Sequence, residues 1–223
     1  MIISYNELGL KLDVNSFQPL VIIVENEKTL VQLISDIKLS IENAMEAFSI
    51  SESEKVFHLS KEADIIIDPW EVDCNSKKIK AKLYQFLLGV AQEQVGEKFL
   101  QLRSDMFCYM EELSEHIPYS ISYDTQIDPT AIFKSLDISV DSSNADFLEQ
   151  VIEYMKLLQS LCRVKVLFLV NIKLFLSDEQ MMLLYKEANY INLQIILIEH
   201  IQKNRISEEK IVIIDRDNCI IDL

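Results

Sequence analysis

Apolar residues along the chain fall into two patterns. Unbroken runs occur in PLVIIV at 19–24, KVLFLVNI at 165–172 and NLQIILIEH at 192–200. Without polar alternation, such runs predict strands covered on both faces, as in a parallel α/β sheet. Elsewhere the apolar positions recur every three or four residues. Leu30, Leu33, Ile34, Ile37 and Ile41 mark one face of a helix predicted from Lys28 to about Phe48. Phe147, Leu148, Val151, Ile152, Met155 and Leu158 mark another, capped by Asn144 or a neighbour and ending near Leu161.

Shorter segments complete the list of elements. IISYN and GLKLDV near the start, KVFHL at 55–59 and DIIID at 64–68 read as strands, the last stopped by Pro69. KIVIIDRD and CIIDL read as a terminal hairpin, and Ser177-Asp178-Glu179 as the opening of a helix. From Ser76 to about Ile117 the pattern is helical throughout, with a break predicted near Gly89 or Gly96. Pro118 ends it, and a polar connection leads to DPTAIFKSL, where Asp128 and Pro129 suit the cap and first turn of a short helix, followed by a short ISV piece. Strand signals at both chain ends around a helical middle predict an α/β head from residues 1–75 and 162–223, with residues 76–161 inserted as a helical leg.

Composition narrows this further. The chain has 223 residues, three glycines and four prolines, too few tight-turn residues for an all-β sandwich. Its formal net charge of -15 repels polyanions from most of the surface, so a nucleic-acid partner must meet a local basic patch. The four cysteines have no CxxC spacing and the N-terminal segment lacks a signal-peptide pattern, which predicts a cytoplasmic protein with reduced thiols.

Two stretches carry candidate chemistry. LVIIVENEKTL places Lys28 and Thr29 at a helix start after a buried strand, where a P-loop holds its phosphate-gripping pair. Glycines are what let the loop backbone approach phosphate, and here Glu25 and Glu27 stand in their place. The second stretch, NSKKIKAKLYQFLLG, sets Lys77, Lys78, Lys80 and Lys82 opposite the apolar side Ile79, Leu83, Phe86, Leu87 and Val90. This is a solvated helix face or a track for phosphates, with Lys98 and Arg103 as further contacts. His58, His116 and His200 are isolated, and no nucleophile signature is present.

KVLFLVNIKLFLSDEQMMLLYKEANYINLQIILIE resembles the C-terminal signature of the short Csn2 proteins of type II-A CRISPR systems: a strand ending in Val170-Asn171, then Phe175-Leu176, Asp178-Glu179, a helix, Asn192-Leu193 and a strand ending in Ile198-Glu199. PLVIIVEN and ADIIIDPWEVDCNSKKI resemble that family's early strand and its strand leading into the helical region. The resemblance implies a P-loop-ATPase-like head with a degenerate nucleotide loop, a helical leg and no enzymatic activity. It also implies a ring-shaped homotetramer that loads onto double-stranded DNA at free ends and acts in spacer acquisition with Cas1, Cas2 and Cas9. Family members hold structural calcium through acids near the head–leg junction. Here SYDTQID keeps only Asp124 and Asp128, so that further ligands come from Glu112 or Glu115, or the ion is absent from this member. The rival readings are an NTPase using Lys28-Thr29 and an acidic interaction scaffold that does not bind DNA.

Overall fold

The computed structural model describes residues 1–43, 47–52, 55–141 and 146–222. By its internal contacts the chain divides into two compact units, residues 1–74 with 142–223, and residues 75–141.

The first unit is mixed α/β and holds two sheets. The larger is formed by β3 (Leu20–Val24), β6 (Ala63–Ile66), β7 (Val166–Val170), β8 (Gln194–Glu199), β9 (Lys210–Ile214) and β10 (Ile220–Asp222). Its order is β10-β9-β3-β8-β7-β6, parallel throughout except for the antiparallel edge strand β10. The apolar runs thus form central strands, and every residue of β3, β7 and β8 is buried. Their side chains alternate between two faces. Leu20, Ile22, Val24, Val166, Phe168, Val170, Ile196 and Ile198 belong to one core cluster, whereas Val21, Ile23, Leu167, Leu169, Ile195 and Leu197 are buried outside it.

The first face is covered by a second sheet and by α1 (Glu27–Ile41), whose Leu33 and Ile37 enter the cluster. This sheet contains β1 (Ile2–Tyr5), β2 (Leu10–Asp13), β4 (Phe48–Glu52) and β5 (Lys55–Val56), antiparallel in the order β2-β1-β4-β5. The first two strands therefore form their own layer and do not extend the main sheet. The physical reason is their alternation: Ile3 and Tyr5, Leu10 and Leu12 are buried while their neighbours face out, the mark of a sheet with a single covered face. Phe48 joins the layers, its ring edge-on to Phe168 with centroids 5.4 Å apart.

Helices α6 (Phe147–Cys162) and α7 (Asp178–Tyr190) pack against each other, and α7 also against β8. Both begin with complete capping boxes, Asp146 with Glu149 and Ser177 with Gln180. The cap of α6 is thus Asp146; Asn144 lies outside the described residues. Sequence reading assigned α6 to the inserted leg, but here it belongs with the first unit, because Leu148, Val151, Ile152, Met155 and Leu158 are all buried. The predicted strand KVFHL shrinks to Lys55–Val56, and its remainder leads into α2 (Leu59–Glu62).

The second unit is helical: α3 (Lys77–Gln94), α4 (Gly96–Glu115) and α5 (Pro129–Ser135). The predicted break falls at Val95-Gly96, where Val95 alone leaves helical geometry, and Gly89 lies within α3. In the ISV piece after α5, Val140 exchanges hydrogen bonds with the Asn75 side chain, at 3.0 and 2.8 Å. No helix among the described residues is long and apolar enough to cross a membrane.

A buried polar network closes the region after β8. Lys173 Nζ lies 2.6 Å from Glu209 Oε1, which also accepts from the Tyr185 hydroxyl at 2.5 Å. The Ile206 N–H donates to the other Glu209 oxygen, and the Lys173 N–H to Glu199 Oε1. Burial pushes the Glu199 carboxyl up to about 7 from its ordinary 4.5, against the pull of the Lys173 N–H and ammonium.

Two measurements check this description. The folded chain keeps a proton on Glu199 that the unfolded chain loses, so its stabilising effect is complete below pH 4.5 and lost as pH rises to about 7. Urea titrations across that window should show wild type losing about 3 kcal/mol relative to Glu199→Gln, with no further divergence at higher pH. In α3, a Cβ at Gly89 meets nothing within 4 Å. Gly89→Ala should therefore raise the helical unit's stability by about 0.5–1 kcal/mol in denaturation followed by circular dichroism.

Candidate nucleic-acid interface

Lys77, Lys78, Lys80 and Lys82 all lie in the first six residues of α3. At about 100° per residue they spread over one broad face. Ile79, the buried residue of that helix, points the opposite way. Lys77, Lys78 and Lys82 are exposed. Lys80 is half-buried and paired with Asp137 at 2.9 Å, while Lys82 Nζ reaches Gln85 Oε1 at 3.4 Å. Ser76 caps the helix by accepting from the Ile79 N–H.

The placement runs against helix electrostatics. Amino ends carry partial positive charge, and carboxylates are favoured there. Helices α1, α4, α6 and α7 follow this rule, with Glu27, Glu97, Glu149 and the Asp178-Glu179 pair in their first turns. Helix α3 has no acid in its first turn and concentrates ammonium groups there. Such an end favours an anion. Lys98 and Arg103 lie on α4, Lys98 exposed and Arg103 half-buried. They are about 140° apart around that helix and form no common stripe.

The acids considered as metal ligands serve local roles. Asp124 Oδ1 accepts from the Gln126 N–H at 2.8 Å. Asp128 caps α5 through the Thr130 N–H and also takes the Thr130 hydroxyl, bonds that hold its carboxyl below the usual range. Glu112 and Glu115 are exposed in the last turn of α4. Among the described residues no three His, Cys, Asp or Glu side chains gather as metal ligands would. These four acids therefore do not by themselves fit the six to eight oxygens that calcium prefers.

The turn after β3 is built to close itself. Only Glu25 and Asn26 separate β3 from α1. Asn26 Oδ1 accepts from the N–H groups of Lys28 and Thr29, the donors a phosphate would need, and Asn26 Nδ2 donates to the Arg216 carbonyl. The Thr29 hydroxyl donates to Asn218 Oδ1 at 2.7 Å. His200 Nδ1 lies 2.9 Å from the Val24 carbonyl. Cys74 is buried and its thiol pushed up to about 11 by that burial, away from nucleophilic use.

Comparison with known proteins adds the family. No curated protein matches the sequence. The family model described as CRISPR-associated protein (Cas_Csn2) matches residues 40–218, from within the first unit through the helical unit to the terminal hairpin. That span covers most of the chain, both units included, and the protein belongs to the Csn2 family of CRISPR-associated proteins.

Proposed function

We propose that this protein is a non-enzymatic, ring-forming DNA-binding protein of the cytoplasm, which encloses double-stranded DNA loaded from a free end and serves spacer acquisition. The observation that carries the reading is the start of α3: four lysines within six residues and no acid in the first turn, in a chain of net charge -15. Repetition around a symmetric ring would concentrate that positive potential where a duplex passes, while the acidic exterior repels DNA elsewhere. Contacts of this kind reach phosphates, so binding is independent of sequence and falls with salt.

Self-assembly is supported by the helical unit. Helices α3 and α4 span 18 and 20 residues, yet only Ile79 is buried between them. Phe86, Leu100 and Tyr109 are each more than half exposed. Helices draw most of their stability from a packed apolar face, and a second copy of the chain would supply one. The head is read as a P-loop-ATPase-like sheet whose nucleotide loop has degenerated. Its two-residue β3–α1 connection, capped by Asn26 and lacking glycine, supports the absence of nucleotide chemistry at Lys28-Thr29. Cas1, Cas2 and Cas9 are the partners in this reading, and calcium would need oxygens beyond those of one chain.

The test combines solution mass with binding to linear and closed circular duplexes, each with and without calcium. A tetramer that prefers linear DNA supports the reading; a monomer indifferent to DNA favours the acidic scaffold. Changing Lys77, Lys78, Lys80 and Lys82 together to Glu should weaken low-salt affinity for linear duplex more than tenfold, about 1.4 kcal/mol, and flatten its salt dependence. Unchanged affinity would remove α3 from the interface. Magnesium-dependent ATP binding that disappears in Lys28→Ala would instead establish an NTPase.

A further inference from the structure

The opposite edge of the main sheet, at the amino ends of β3, β7 and β8, carries a cavity of about 860 Å³. That volume is within the roughly 300–1,000 Å³ of small-molecule sites. Phe17 stands three residues before β3, Arg163 three and Lys165 one before β7, and Asn192 two before β8; Lys55 and Phe57 also line it. Three cationic side chains thus converge in a strongly acidic chain, against a single lining carboxylate among the described residues, Glu52, which accepts the Ser16 hydroxyl at 2.5 Å.

The cations differ in availability. Lys165 pairs with Glu62 at 2.5 Å and sits 5.1 Å from the Phe57 ring centroid. Arg163 is exposed, and its guanidinium has no ion-pair partner among the described residues. An arginine ending α6 also complements the helix dipole, and its left-handed backbone closes that helix, the Arg163 N–H turned to the Gln159 and Leu158 carbonyls. Phe17, which ends no helix, holds φ 64, a left-handed conformation that suits glycine and is costly for a bulky side chain; Arg163 at φ 61 and Asn192 at φ 55 take the same conformation just past α6 and α7. Phe17 is held there from inside the fold. Its N–H donates at 2.8 Å to Oε1 of the buried Gln194, whose Nε2 donates to the Gln18 carbonyl at 2.6 Å. A bulky aromatic residue kept at a strained position beside exposed cations in one cavity points to a ligand-binding role.

From this cavity we infer a site for a free mononucleotide: its phosphate meets Arg163 and Lys55, and its base packs on Phe17. A guanidinium matches phosphate through two parallel N–H bonds, and an aromatic ring accepts any base face. The site is separate from the turn holding Lys28-Thr29, which lies at the carboxyl end of β3.

Calorimetry of the full chain with adenosine 5′-monophosphate, adenosine and inorganic phosphate tests it. Saturable binding of the monophosphate, tighter than either fragment, is expected. Arg163→Gly should weaken monophosphate and phosphate at least tenfold and leave adenosine unchanged. Phe17→Gly should weaken monophosphate and adenosine and leave phosphate unchanged. Glycine suits both backbone positions, so the fold is retained. The four-lysine variant of α3 should bind the monophosphate like wild type, which separates this site from the DNA reading. No saturable binding at millimolar ligand, equal binding by wild type and Arg163→Gly, or loss of binding in Lys28→Ala overturns the assignment.

Discussion

The first unit depends on burying both faces of one parallel sheet. Strands β3, β7 and β8 each send alternate side chains into different apolar environments, so neither face can be left to water. One face takes α1 and the antiparallel sheet; the other buries its own apolar set, with α6 and α7 packed together and α7 against β8. The strand ends, fixed by register, then become the places where polar groups and ligands can gather. At the carboxyl end of β3 those groups are consumed by the protein itself, through Asn26, Thr29, His200 and their partners.

How much of this was legible in the sequence follows from how local each signal is. Central strands were readable because burial on both faces leaves an unbroken apolar run, as in LVIIV and VLFLV. The short helix after Asp128 was readable from its cap and proline, and the terminal hairpin from two apolar runs around a polar turn. Strand β4 went unread: FSISE is half polar, and only its pairing with β1, more than 40 residues away, makes it a strand. The placement of β1 and β2 in a separate sheet depends on the same distant pairing. The lysine cluster was visible because it is contiguous, and the helical pattern from Ser76 already placed it at a helix start. The cavity was invisible because Phe17, Lys55, Arg163 and Asn192 come from four distant segments. Its one sequence-level trace would have been an arginine at a helix end where glycine is usual.

Two kinds of unusual charge placement therefore distinguish the chain from an ordinary acidic globule. At α3 the anomaly is electrostatic: cations gather at a helix end that already carries positive potential. At Arg163 it is conformational, because a long cationic side chain occupies a left-handed backbone position. Both placements suit an anion: in the proposed roles a phosphate would meet the lysines of α3 as charge, and the planar Arg163 guanidinium through two parallel N–H bonds.

The difference between the two settings decides what each can recognise. Lys77, Lys78 and Lys82 stand exposed on a helix, with flexible ammonium heads that serve as point charges, and such a surface suits a phosphate backbone without reading anything attached to it. Arg163 lines a cavity in company with Phe17, whose backbone N–H is held by Gln194, so there a phosphate and a planar group can be bound together. One arrangement suits a long polymer whose units are equivalent, and the other a single small molecule whose two ends differ. An enclosing ring needs only the first, so the cavity, with its cations and the left-handed Phe17, answers to a different ligand.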